Sequence, residues 1–141
     1  MAAMSDYLEV ELRKHIFRTG SFTKPTVLAV ALCTAATTDA STGATITEVA
    51  NSFGYARQTL NPLDANWTGA SSTNGLTDNA SAITFTASGG SWGTVTHIAI
   101  CDSATHGAGN VLFHGALTSS KTIADGDSLT FAIGALDITL A

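Results

Sequence analysis

The stretch Thr26-Val27-Leu28-Ala29-Val30-Ala31-Leu32-Cys33 decides the fold class. It is a continuous apolar run, too short for a typical helix and rich in strand formers, so it reads as a central β-strand. Working outward, Thr37-Thr38-Asp39-Ala40-Ser41-Thr42-Gly43 is turn chemistry, and a second short strand is expected through Ile46 to Val49. Tyr55 to Leu60 predicts another strand, closed by Asn61-Pro62. From Asp64 to Asn79 the chain is Gly, Ser, Thr and Asn around one large anchor, Trp67. A loop of that length in a compact domain is usually functional or pinned at an interface, which makes it a candidate contact surface.

Further along, Ile83, Phe85 and Ala87 alternate with Thr84 and Thr86, the pattern of a half-buried strand ending at Ser88-Gly89-Gly90-Ser91. Trp92 to Cys101 and Val111-Leu112-Phe113-His114 read as antiparallel neighbours across the Gly107 to Asn110 turn. Leu129, Phe131 and Ile133 alternate, and Leu136, Ile138 and Leu140 alternate again after Gly134. About seven or eight strands with Gly-rich turns fit an all-β, antiparallel β-sandwich of jelly-roll type. Residues 23–141 are expected to form that single domain, with residues 1–22 as an N-terminal amphipathic helix arm.

The arm carries its own signals. Ser5 is the N-cap, Leu8, Leu12 and Ile16 recur at spacing i, i+4, i+8, and Tyr7 lies near the same face. Asp6, Glu9 and Glu11 stand toward the start and Arg13, Lys14, His15 and Arg18 toward the end, which suits the helix dipole and allows a Glu9–Arg13 pair. Gly20 supplies the stop.

Charged residues make up only 12% of the chain against 45% apolar, so much of the surface must be Thr, Ser, Ala and Gly. Hydroxyls and methyls are cheaper to desolvate than unpaired charges, which suits a subunit covered by neighbours. A formal charge of -5 with six scattered Lys and Arg offers no basic patch for nucleic acid. The start MAAMSDYLEV has no secretory pattern and the longest apolar run is far short of a membrane span, so a soluble protein made in a cytoplasm, with no membrane partner, is expected.

Few residues stand in patterns that carry chemistry. Cys33, His97 and Asp102 could be imagined as a thiol triad, but Cys33 and His97 fall inside apolar strands and are expected to lie apart as packing residues. The two cysteines read as buried free thiols. His97, His106 and His114 lack metal-ligand spacing, and Asp125-Gly126-Asp127 reads as a tight turn before it reads as a calcium loop. No catalytic residue, cofactor or metal is expected.

Several segments together resemble a family of short bacteriophage virion proteins usually described as tail or tail-fibre proteins. They are Tyr7-Leu8 to Phe17-Arg18-Thr19, Gly54-Tyr55-Ala56-Arg57-Gln58, Trp92-Gly93-Thr94-Val95-Thr96-His97, Gly115-Ala116-Leu117 with Lys121, and Gly126-Asp127. The resemblance spans nearly the whole chain and implies a non-enzymatic structural component of the virion. Ala50-Asn51-Ser52-Phe53 departs from it, standing where a shorter Gly-rich turn is usual.

The candidate protein-interface residues are Tyr7, Leu8, Leu12, Ile16, Tyr55, Arg57, Trp67 and Trp92. The helix stripe either covers one end of its own sandwich or serves as a docking arm. Trp92 either caps the core or plugs a neighbour, and Arg57 is either solvated or a bidentate link to a partner's carboxylate. Exposed Trp67 or Tyr55 could also form a carbohydrate-stacking platform. A lone small domain without a shaft favours a capsid decoration or cement protein bound to the major capsid protein. The alternative is a small tail component, a fibre or adaptor, and a homo-oligomer (dimer or trimer) is expected in either case.

Overall fold

The computed structural model describes residues 2–69 and 75–140. Within them the chain forms β1 (Ala3–Met4), α1 (Asp6–Phe17), β2 (Ala29–Cys33), β3 (Gln58–Thr59), β4 (Leu76–Thr77), β5 (Ile83–Thr86), β6 (Gly93–Cys101), β7 (Val111–Ile123), β8 (Ser128–Phe131) and β9 (Ile138–Thr139). One five-stranded antiparallel sheet has the order β1-β7-β6-β2-β3, and β4-β9 and β5-β8 make two antiparallel pairs. An apolar cluster joins the large sheet to both pairs, so the chain is an all-β sandwich with one N-terminal helix, as its periodicity indicates.

The uninterrupted apolar run of β2 has a structural cause: both faces of the strand are covered. Val30 and Leu32 point into the cluster that holds Ile83, Phe85, Leu129 and Phe131. Ala31 and Cys33 point the other way, into a second cluster with Ile46, Ala99, Cys101 and Val111. In β5 and β8 the alternation has the opposite cause. Ile83 and Phe85 are buried opposite Phe131 and Leu129, while Thr84 and Thr86 face outward and hydrogen-bond their cross-strand partners Thr130 (3.0 Å) and Ser128 (2.8 Å). Thr94 and Thr122 repeat the pairing between β6 and β7 at 2.8 Å. Much of the hydroxyl surface thus satisfies itself.

Several boundaries differ from the sequence reading. Ile46 to Val49 is no strand: a bridge from Glu48 to Cys33 and hydrogen bonds from Thr34 to Thr47 and from Val49 to Leu32 hold it beside β2. Tyr55 to Leu60 contracts to β3, because the Tyr55 hydroxyl, rather than a neighbouring strand, takes the Leu32 N–H at 3.0 Å. The Asp64–Asn79 loop contains β4 and a Trp67–Asn79 bridge, its residues 70–74 lying outside the described ones. Strand β7 runs well past His114 to Ile123; its continuation is largely exposed and so carries no apolar signal. The Asp125-Gly126-Asp127 turn is present, with Gly126 at φ 83° and the Asp127 carboxylate accepting from the Ala124 amide at 3.0 Å. It sends β8 across to β5 instead of back along β7.

Ser5 caps α1 as expected, accepting from the Leu8 amide at 3.3 Å and donating its hydroxyl to the Val111 carbonyl, which ties the helix start to β7. Before it, Ala3 and Met4 pair with His114 and Phe113, so the segment leading into the helix belongs to the large sheet. The ion pair on the helix is Glu11–Lys14 (2.7 Å) rather than Glu9–Arg13. The helix ends at Phe17, three residues before Gly20, where Arg18 turns extended and its N–H closes on Lys14.

Candidate functional site

The most organised polar cluster lies over the outer face of β2 and β6. Arg57 is buried, and each of its five N–H donors has an acceptor. Nε and Nη2 grip the two Glu48 carboxylate oxygens at 2.8 Å each, Nη1 reaches the carbonyls of Ser103 (2.9 Å) and Ala108 (2.8 Å), and Nη2 also reaches Gly43 (3.2 Å). Glu48 in turn accepts from the Tyr55 hydroxyl at 2.8 Å and from the Gly107 amide at 3.3 Å. One side chain therefore clasps the 34–54 loop to the 102–110 loop. The approach is close: a Cβ added at Gly43 would lie 2.0 Å from the Ala108 carbonyl oxygen.

Electrostatics follow from that geometry. Burial alone would raise the Glu48 carboxyl, but hydrogen bonds from Arg57 and Tyr55 and the guanidinium charge outweigh it and hold the group below its ordinary range. For Arg57, burial works against the charge and the hydrogen bonds to Glu48 outweigh it, so the guanidinium is held charged even more firmly. Burial, then the Glu48 charge, pushes the Tyr55 phenol well up. The clasp has no free donor to offer a ligand; what it does is lock two loops over a sheet.

Four of the candidate interface residues, Leu8, Tyr55, Arg57 and Trp92, are buried within their own chain. Tyr55 stacks on Phe85 and meets Trp92 edge-on at 5.4 Å, Trp92 donates its indole N–H to the Phe53 carbonyl at 3.0 Å, and Leu8 sits under the first turn of α1. Arg57 does make a bidentate carboxylate link, but within its own chain, and Glu48 was missed. The available signal was an acid set between Thr47 and Val49 in an apolar-leaning segment. Phe53, in the segment that departs from the family pattern, takes a positive φ of 53° and lays its ring against Gly90. That conformation is uncommon for a bulky side chain and is held here by hydrogen bonds to its carbonyl from Trp92 and Ser88.

Cys33 and His97, expected to be apart, are register partners on β2 and β6. The thiols are free and buried, and burial pushes Cys33 up to about 12 and Cys101 up to about 11, far from the thiolate state that nucleophilic chemistry requires. The His97 ring engages Thr96 at 2.9 Å. His114 is held between Thr37 and Asp39, and His106 bonds the Val49 carbonyl. Among the described residues no three His, Cys, Asp or Glu side chains cluster in a way that could hold a metal.

The remaining candidates lie at the surface. Along α1 the apolar stripe runs off the body: Leu8 is buried, Tyr7 and Leu12 are half-buried, Ile16 is 65% exposed and the adjoining Phe17 80%. Trp67 is half-buried in the wall of an open groove of about 280 Å³, with Leu28, Leu63, Phe113, Ile138 and Leu140 around it. Its indole N–H is already taken by the Leu60 carbonyl at 3.0 Å.

Fold and site together define a β-sandwich with an internally clasped loop layer, a projecting apolar helix end and an apolar groove. A family model described as Podophage GP4 fiber I protein gp80 matches residues 3–139, and the chain belongs to that family. The resemblance read from the sequence to phage tail-fibre proteins is thereby borne out. Comparison with the curated proteins gave no match.

Proposed function

We propose that this chain is a structural component of a podophage tail fibre, acting through protein–protein contact and without catalysis. The observation that carries the reading is the fibre-family match over residues 3–139. It supports the small tail component over the capsid cement role that size and low charge favoured, and it makes other tail proteins the natural partners. The physical features agree with such a role. A clasped, dry sandwich gives a rigid body, and the apolar surface that remains is concentrated where a neighbour can reach it. The buried thiols, protonated at neutral pH, leave no activated nucleophile in the Cys33–His97 pair.

Location within the particle is the test. Antibody-gold labelling or a particle map should find the protein at the tail, in the low copy number of a fibre part. Labelling spread over the shell, with copy number scaling to the capsid lattice, would overturn the tail reading and restore the cement role.

A further inference from the structure

Seven large hydrophobic side chains are exposed among the described residues, and five of them fall in two places: Val10, Ile16 and Phe17 on α1, and Leu63 and Leu140 beside the groove. We propose that the end of α1, led by Phe17 and Ile16, docks into the Leu63–Trp67–Leu140 groove of a second copy of this chain. This does not depend on where in the virion the protein sits.

Three observations select that occupant. First, the groove is apolar and its one indole N–H is satisfied internally, so it suits an aliphatic or aromatic knob better than a polar ligand. Second, Phe17 and Ile16 stay exposed among the described residues: the helix is held at its start by Ser5 and Leu8, and near its end His15 accepts from the Phe22 amide at 3.2 Å without covering either side chain.

Third, the charges are complementary. Arg13 and Arg18 flank the apolar tip and make no ion pair among the described residues, and residues 12–23 contain no acid. Residues 24–141 hold eight acids against Lys24, Arg57 and Lys121, a balance of -5; Lys24 donates to the Pro62 carbonyl at the groove's edge at 3.2 Å, and Arg57 is consumed by Glu48. Asp64 itself lines the groove. A cationic apolar tip on an otherwise anionic molecule fits a copy of that molecule, and the arm and groove being different surfaces permits reciprocal exchange in a closed dimer.

The test uses the purified full chain. Sedimentation should show self-association that weakens as salt rises. Phe17→Glu and Leu63→Glu alter exposed side chains, so each variant should keep the wild-type melting curve while becoming monomeric. Mixing the two variants should then restore a dimer, because one keeps an intact groove and the other an intact arm. A wild-type monomer up to the solubility limit overturns the proposal. So do folded single variants that still dimerise, or a mixture that stays monomeric while wild type associates.

Discussion

On the inner face of the five-stranded sheet, Val30, Leu32, Ile98 and Ile100 meet Ile83, Phe85, Leu129 and Phe131 from the facing strands. On the outer face, Ala31, Cys33, Ala99 and Cys101 lie beneath two loops that a single arginine holds together. Both faces exclude water, by different means. Large side chains fill the space between two sheets, where each well-buried one contributes roughly 1.5–3 kcal/mol. Small side chains instead let backbone approach backbone, and the polar groups brought in with the loops must then be satisfied in place. One face depends on volume and the other on complete hydrogen bonding.

The largest effects should come from breaking each face in its own way. Phe85→Ala leaves a cavity and should cost about 3–5 kcal/mol in chemical denaturation. Arg57→Ala should cost a similar amount, about 3–5 kcal/mol, by leaving the Glu48 carboxylate buried and unpaired. The two then diverge: Glu48→Gln added to Arg57→Met should recover part of the loss, since the stranded charge is gone, whereas no polar exchange rescues the Phe85 cavity. Equal losses in the Arg57→Met single and the double variant would show that the three carbonyl contacts, not the ion pair, make the clasp.

Gly43→Ala should cost about 1–3 kcal/mol, because the added methyl meets backbone of the opposite loop that cannot rotate away. The same substitution at Gly107, where nothing lies within contact distance, tests backbone conformation alone, since φ there is 70°. Acid should separate the faces as well. Glu48 has a folded pKa below its unfolded value, so its contribution is complete above the ordinary glutamate range and is lost as pH falls through the folded value. Denaturation midpoints of wild type should therefore fall more steeply on acidification than those of Glu48→Gln. The smallest effect is expected outside both faces: Thr94→Ala removes one cross-strand hydroxyl pair and should cost about 0.2–1 kcal/mol.

Legibility in the sequence followed the same division. The inner face was readable because alternation at Ile83, Phe85, Leu129 and Phe131 is a local pattern that fixes which side chains share a side. The clasp was not. Arg57 stands nine residues from Glu48 but about a third of the chain from Ser103 and Ala108, and nothing in the neighbourhood of an arginine says which distant carbonyls will surround it. Tyr55 and Trp92 stood as interface candidates, with a core reading open for Trp92, and both are buried, since an aromatic beside Gly looks the same in a core as at an interface.

By itself the sequence determined that this chain is a β protein with a capped leading helix, which residues of each strand share a face, and where its tight turns fall. Those properties depend on side-chain periodicity and backbone preference within a few residues. The tertiary structure alone decided that β5 pairs with β8 and β4 with β9, that Glu48 answers Arg57, and that the Leu8–Leu12–Ile16 stripe is buried at one end and bare at the other. These depend on which surfaces meet after the chain closes on itself, and burial is a property of that meeting.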